Sequence, residues 1–85
     1  METTEIEALI KLGFADGQIK VTGDGSHFDA TVISDQFEGL SSVKKQQAVY
    51  ATVTEAITSE AIHALSIKAY TFAEWKKAQK LSIGM

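Results

Sequence analysis

Two histidines are the only uncharged metal ligands of note in this 85-residue chain, from which cysteine is absent altogether. His27 follows the turn cluster Gly23-Asp24-Gly25-Ser26, and His63 stands at the head of the run Ile62–Tyr70. A neutral imidazole ligates iron, zinc or copper, and it also moves protons near neutral pH. The plainer account of each is a surface or half-buried residue with one hydrogen bond. Two histidines this far apart, with no motif joining them, do not mark a metal site by spacing alone.

The lack of cysteine removes disulfides, thiolate zinc sites and a thiol nucleophile together. Metal chemistry must then rest on histidine and carboxylate, or on ligands that a partner brings. Asp24, Asp29 and Asp35 are scattered over turns and strand faces, and no base accompanies them at catalytic spacing. Ser41 and Ser42 have no strand-turn-helix elbow and suit helix caps better. Gly23-x-Gly25 is not followed by a third glycine or a helix, which disfavours a phosphate loop. The chain carries no recognisable catalytic site, and a non-enzymatic role is expected.

Charge is unevenly placed. Residues 1–40 hold 2 lysines against 8 acids, or −6, whereas residues 41–85 hold 6 lysines against 3 acids, or +3, for a net −3. Every base is lysine. Lys44, Lys45, Lys68, Lys76, Lys77 and Lys80 form either a solvated surface or a basic patch. Without arginine such a patch supports weak, salt-sensitive phosphate contact rather than bidentate base reading.

The elements that must position these residues follow from periodicity. Ile6, Leu9 and Ile10 recur at helical spacing, with Thr3 or Thr4 as N-cap and Gly13 as stop, predicting a helix over about 4–12. Residues 18–22 and 27–33 alternate polar and apolar around the turn at 23–26, which predicts a hairpin with Phe28, Ala30 and Val32 on one face. After a break near 34–42, with a short extra turn at 38–42, Val49, Val53, Ala56 and Ile57 predict a long helix ending near Ser59. Residues 62–70 suit a third strand, with His63, Leu65 and Ile67 on one face. Thr71 caps a last helix through Phe72, Trp75 and Ala78, whose two aromatics are expected in the core, and the tail after Lys80 is expected as coil. The order α-β-β-α-β-α makes a single α+β domain over residues 1–85, with its core about 4–80: a two-layer sandwich around a three-stranded mixed sheet. Glu2, Glu5 and Glu7 stand where a signal peptide carries positive charge, and no apolar run reaches membrane-span length, so a cytoplasmic protein without membrane contact is expected.

Three linked motifs carry a family resemblance. His63-Ala64-Leu65-Ser66-Ile67-Lys68-Ala69-Tyr70-Thr71, followed by Glu74-Trp75, resembles the C-terminal signature of BolA-like proteins. Gly25-Ser26-His27-Phe28 resembles the start of their second strand, as does Phe37-x-Gly39 leading into Val43-Lys44-Lys45-Gln46-Gln47 and Val49-Tyr50 their central helix. The match spans roughly residues 4–77 in order and spacing, and the Val43–Gln47 stretch looks most like the bacterial IbaG branch of the family. The resemblance implies an α+β fold like a class II KH domain, and pairing with a monothiol glutaredoxin around a shared 2Fe-2S cluster. In the family the histidine of the C-terminal signature is a cluster ligand, which here is His63. The second family ligand comes from the loop and strand edge after the first strand, and the matching residue is His27. Thiolates for such a cluster would come from the partner's cysteine and bound glutathione, so the isolated apo chain is expected to hold no cofactor.

The chain departs from the family at Phe72, where many relatives have proline, and at Lys44-Lys45-Gln46-Gln47, where other branches are arginine-rich. The first touches how the last helix begins. The second weighs against transcription-factor activity, as does Gly39-Leu40-Ser41-Ser42, which lacks the second glycine of the KH clamp. The alternative reading is a KH-like nucleic-acid-binding transcriptional regulator acting through Lys44 and Lys45, and a third is a homodimer of structural role.

Overall fold

The computed structural model describes residues 2–62 and 64–83. Helix α1 (Thr3–Gly13) begins one residue earlier than its threonines suggest. Its N-cap is Glu2, joined to Glu5 in a reciprocal capping box, and Glu5 carries the acidic charge that suits a first turn. Ile6 and Ile10 bury one stripe of the helix. Gly13 does more than stop it: a Cβ there would stand 2.6 Å from Thr52 Cγ2, so the missing side chain lets the next long helix approach.

Strands β1 (Gln18–Gly23) and β2 (His27–Ile33) form the antiparallel hairpin, with Lys20 opposite Thr31 and Val21 opposite Ala30. Strand β3 (Ala64–Tyr70) lies parallel to β2, with His27 beside Ala64 and Ala30 beside Ile67, giving a mixed sheet in the order β1-β2-β3. Parallel strands need a crossover, and helix α2 (Ser42–Thr58) supplies it. Ser41 caps α2 by accepting the Lys44 amide at 3.2 Å. Helix α3 (Phe72–Ile83) follows β3. Its capping box pairs Thr71 Oγ1 with the Glu74 amide and Glu74 Oε1 with the Thr71 amide.

One apolar layer holds the fold together. Ile6 and Ile10 of α1 and Val49, Val53 and Ala56 of α2 close over Val21, Phe28, Ala30, Val32 and Ile67 of the sheet. The hairpin face expected from the alternation is therefore the buried one. Phe14 and Phe37 seal one end, with ring centroids 5.0 Å apart. Among the described residues no helix is long and apolar enough to cross a membrane.

Besides the start of α1, four details differ from the sequence expectation. The short extra turn is a 3-10 turn, η1 (Asp35–Phe37), placed earlier than 38–42 because Ser34 accepts the Gln36 amide and caps it. The described part of β3 starts at Ala64, while buried Ile62 precedes it outside the strand. Helix α3 continues to Ile83, since Leu81, Ser82 and Ile83 include no glycine or proline to break it. Phe72 and Trp75 are half-buried and outside the core cluster. Trp75 instead packs against Tyr70 in a tilted pair, with centroids 5.3 Å apart and ring planes at 55°, beside the sheet face that α1 and α2 leave open.

Both sheet edges are guarded by helix side chains. On β1 the Val21 amide donates to Glu7 Oε1 at 3.1 Å, and Lys11 Nζ donates to the Gly17 carbonyl just before the strand. On β3 Tyr50 Oη donates to the Leu65 carbonyl at 2.9 Å and Gln46 Nε2 to the Ile67 carbonyl at 3.2 Å. Such capping blunts the tendency of open edges to pair with other chains.

Gly23 is the tightest backbone position of the hairpin. A Cβ there would meet the Phe28 ring and lie 2.5 Å from the His27 carbonyl oxygen. Gly23→Ala is expected to cost about 1–3 kcal/mol through overpacking, read as a lower urea midpoint with an unchanged slope.

A candidate histidine site where the parallel strands begin

β2 and β3 run parallel, so both enter the sheet at the same end, and their first paired positions are His27 and Ala64. The Ala64 amide donates to the Ser26 carbonyl at 3.2 Å, which fixes this register. His63, adjacent to Ala64 in sequence, lies outside the described residues.

The turn before His27 is held by Asp24. Its Oδ1 accepts the amides of Ser26 at 3.0 Å and His27 at 2.9 Å, and its own amide donates to the His27 carbonyl at 3.2 Å. Gly25 occupies the left-handed region at φ 103°, which a side chain rarely adopts. The His27 amide, then the Ser26 amide, hold the Asp24 carboxyl below its ordinary range. The His27 side chain itself is 73% exposed, with Nδ1 4.0 Å from Asp24 Oδ2. It is therefore open to an external metal or partner, and the Asp24 carboxylate nearby is too distant for a hydrogen bond to the ring.

Among the described residues, no three or more histidine, cysteine or acidic side chains gather to hold a metal ion.

The lysines of the alternative reading separate. Lys45 is only 12% exposed at its side chain, and its Nζ lies 2.7 and 2.8 Å from the two Glu74 carboxylate oxygens. It fastens α2 to the start of α3. Lys44 is exposed.

Periodicity does not announce Asp16, which gathers the β2–α2 connection. Its carboxylate accepts Ser34 Oγ at 3.0 Å, Gln36 Nε2 at 2.9 Å and the Asp35 amide at 3.3 Å. Ser34 is fully buried. The Asp16-Gly17 pair was legible as a turn, and only the fold supplies its partners.

Asp16, Asp24 and Glu74 all sit below their ordinary values of 3.8, 3.8 and 4.5, the first chiefly through Gln36 and the last chiefly through Lys45. At acid pH the unfolded chain thus binds more protons than the folded one. The stability these groups contribute is complete above about pH 4.5 and is lost as pH falls through their lowered folded values. Urea midpoints should decline modestly below about pH 4, because all three carboxylates are solvent-screened. Glu74→Gln should flatten part of that decline, and an unaltered profile in that variant would refute the assignment.

Comparison with known proteins places this arrangement in a class of small α+β domains that pair a hairpin with a parallel third strand. The family model described as BolA-like protein matches residues 12–74. The acid stress protein IbaG of Escherichia coli K12 is 45% identical over 82 residues, covering 96% of this chain and 98% of that protein. The structure of a bolA protein homologue from Coxiella burnetii superposes with TM-score 0.79 at 34% identity, covering 89% of this chain and 97% of that one. Yeast Fra2 superposes with TM-score 0.72 at 33% identity, covering 96% and 91%. The chain belongs to the BolA-like family. Its nearly full-length similarity to IbaG supports that branch of the family.

Proposed function

We propose that this protein is a non-enzymatic partner of a monothiol glutaredoxin, sharing a 2Fe-2S cluster for which His63 and His27 are the candidate ligands. The observation that carries the reading is the parallel register that sets His27 against Ala64, the residue after His63, in a chain without cysteine. When bound, such a cluster supplies one-electron chemistry, and imidazole in place of thiolate raises its potential in Rieske-type centres. This chain's part is to present neutral imidazole at an exposed strand end, with Asp24 beside His27 and the Ala64–Ser26 bond holding the two strand starts together. An imidazole ligand must be unprotonated, so acid loosens the shared site. The acid-stress designation of the Escherichia coli relative agrees with that sensitivity.

The test is anaerobic cluster reconstitution of this protein mixed with a monothiol glutaredoxin and glutathione, followed by visible absorption and circular dichroism against the glutaredoxin alone. A new spectrum together with a stable complex is expected. An unchanged spectrum with no complex would overturn the reading and turn attention to nucleic acid at Lys44, where steep salt dependence of binding is the signature.

A further inference from the structure

The sheet face turned away from α1 and α2 is polar, and it is not flat. With Trp75 and Gln79 of α3 rising beside it, the face forms a groove of about 720 Å³, within the roughly 300–1,000 Å³ of small-molecule sites. Its residues fall into rungs across the three strands. Nearest α3, Gln18, Ile33 and Tyr70 share a rung; Ile33 is almost wholly buried there, and half-buried Trp75 supplies the apolar wall of that end. The next rung is Lys20, Thr31 and Lys68, which sets a lysine on each side of the central strand. The far rung centres on Asp29.

Neither Lys20 nor Lys68 forms an ion pair among the described residues, in contrast to Lys45. Two cations flanking one threonine, one rung from an aromatic wall with two glutamines beside it, complement a planar ring that carries an anion. A rung's step of about 6.6 Å is of the order that separates a nucleobase from its 5′-phosphate. Asp29 repels the anion from the far rung and so fixes the direction in which such a molecule lies. A long polyanion is disfavoured, because the chain carries net charge −3 and most of that acidity lies in its first half.

We infer that this groove is a binding site for a free mononucleotide, its base against Trp75 and its phosphate between Lys20 and Lys68. The groove shares its sheet face with His27, which stands two rungs beyond Thr31 on β2, and none of the residues lining it is a histidine.

Trp75 is the sole tryptophan, so its fluorescence reports directly on stacking. Titration of the full chain with AMP should quench it saturably, and adenosine, which lacks the phosphate, should bind about tenfold more weakly. The double variant Lys20→Gln/Lys68→Gln, altered only at exposed strand positions, should bring AMP to the level of adenosine. Amide shifts in a parallel NMR titration should cluster on Lys20, Thr31, Lys68 and Trp75. Equal binding of AMP and adenosine, or AMP binding unchanged in the double variant, would overturn the inference. So would shifts confined to α2, or a single-stranded hexanucleotide binding more tightly than AMP, which would give the groove to a polymer.

Discussion

Replacing Phe37 by alanine is expected to lower the unfolding free energy by about 3–5 kcal/mol and the thermal midpoint by about 15 °C or more. Phe37 is fully buried, and its ring sits against Phe14 at the end of the core where α1, β2 and η1 converge. Its backbone is held as well: the Phe37 amide donates to the Ser34 carbonyl, and the Asp16 carboxylate grips Ser34, Asp35 and Gln36 just before it. A segment fixed on that side collapses poorly into a vacated space, which places the cost toward the upper part of the range for such truncations. A domain of this length has about 4–13 kcal/mol in all, so the variant should be partly unfolded at 37 °C. Thermal and urea unfolding monitored by circular dichroism measure the loss. Phe37→Leu should recover more than half of it, and a cost below about 1 kcal/mol for the alanine variant would mean that the site refills.

The second large effect concerns the cluster. In the reconstituted complex with a monothiol glutaredoxin, His63→Ala should abolish the spectrum that distinguishes the mixed complex from glutaredoxin alone. His63→Cys should restore a shared cluster with a lower reduction potential, because thiolate replaces imidazole. His27→Ala should weaken cluster retention. Its side chain is exposed and holds no core contact, so folding should be unaffected. Circular dichroism and redox titration separate these cases. An unchanged mixed-complex spectrum in His63→Ala would remove that residue from the ligand set.

Much of this architecture was legible because one periodicity dominated each segment. Phe28, Ala30 and Val32 alternate cleanly, and all three are buried. Val49, Val53 and Ala56 trace the single buried stripe of α2. Ser41 and Thr71 were readable as caps from their chemistry. Periodicity says that a residue faces something, but not which layer it faces. That is why Phe72 and Trp75, helically spaced like core residues, proved to lie outside the core, with Trp75 against Tyr70. The lysines illustrate a second limit. Lys45 reads as part of a basic patch until the crossover brings it to Glu74, 29 positions away in sequence. Asp16 likewise meets its partners 18 to 20 positions downstream. Of the histidine end, the strand start at His27 was visible in the alternation and its turn chemistry. Its juxtaposition with Ala64 depends on the parallel pairing, which no local pattern encodes.

The helix that delivers β3 to the sheet is also the helix whose Tyr50 and Gln46 shield that strand's outer edge. If α2 loosens, β3 loses its shield, and if β3 departs, β2 is left with an open side. The two failures therefore arrive together, so α2 and β3 are expected to open as one cooperative unit, their backbone amides exchanging with solvent at a common rate.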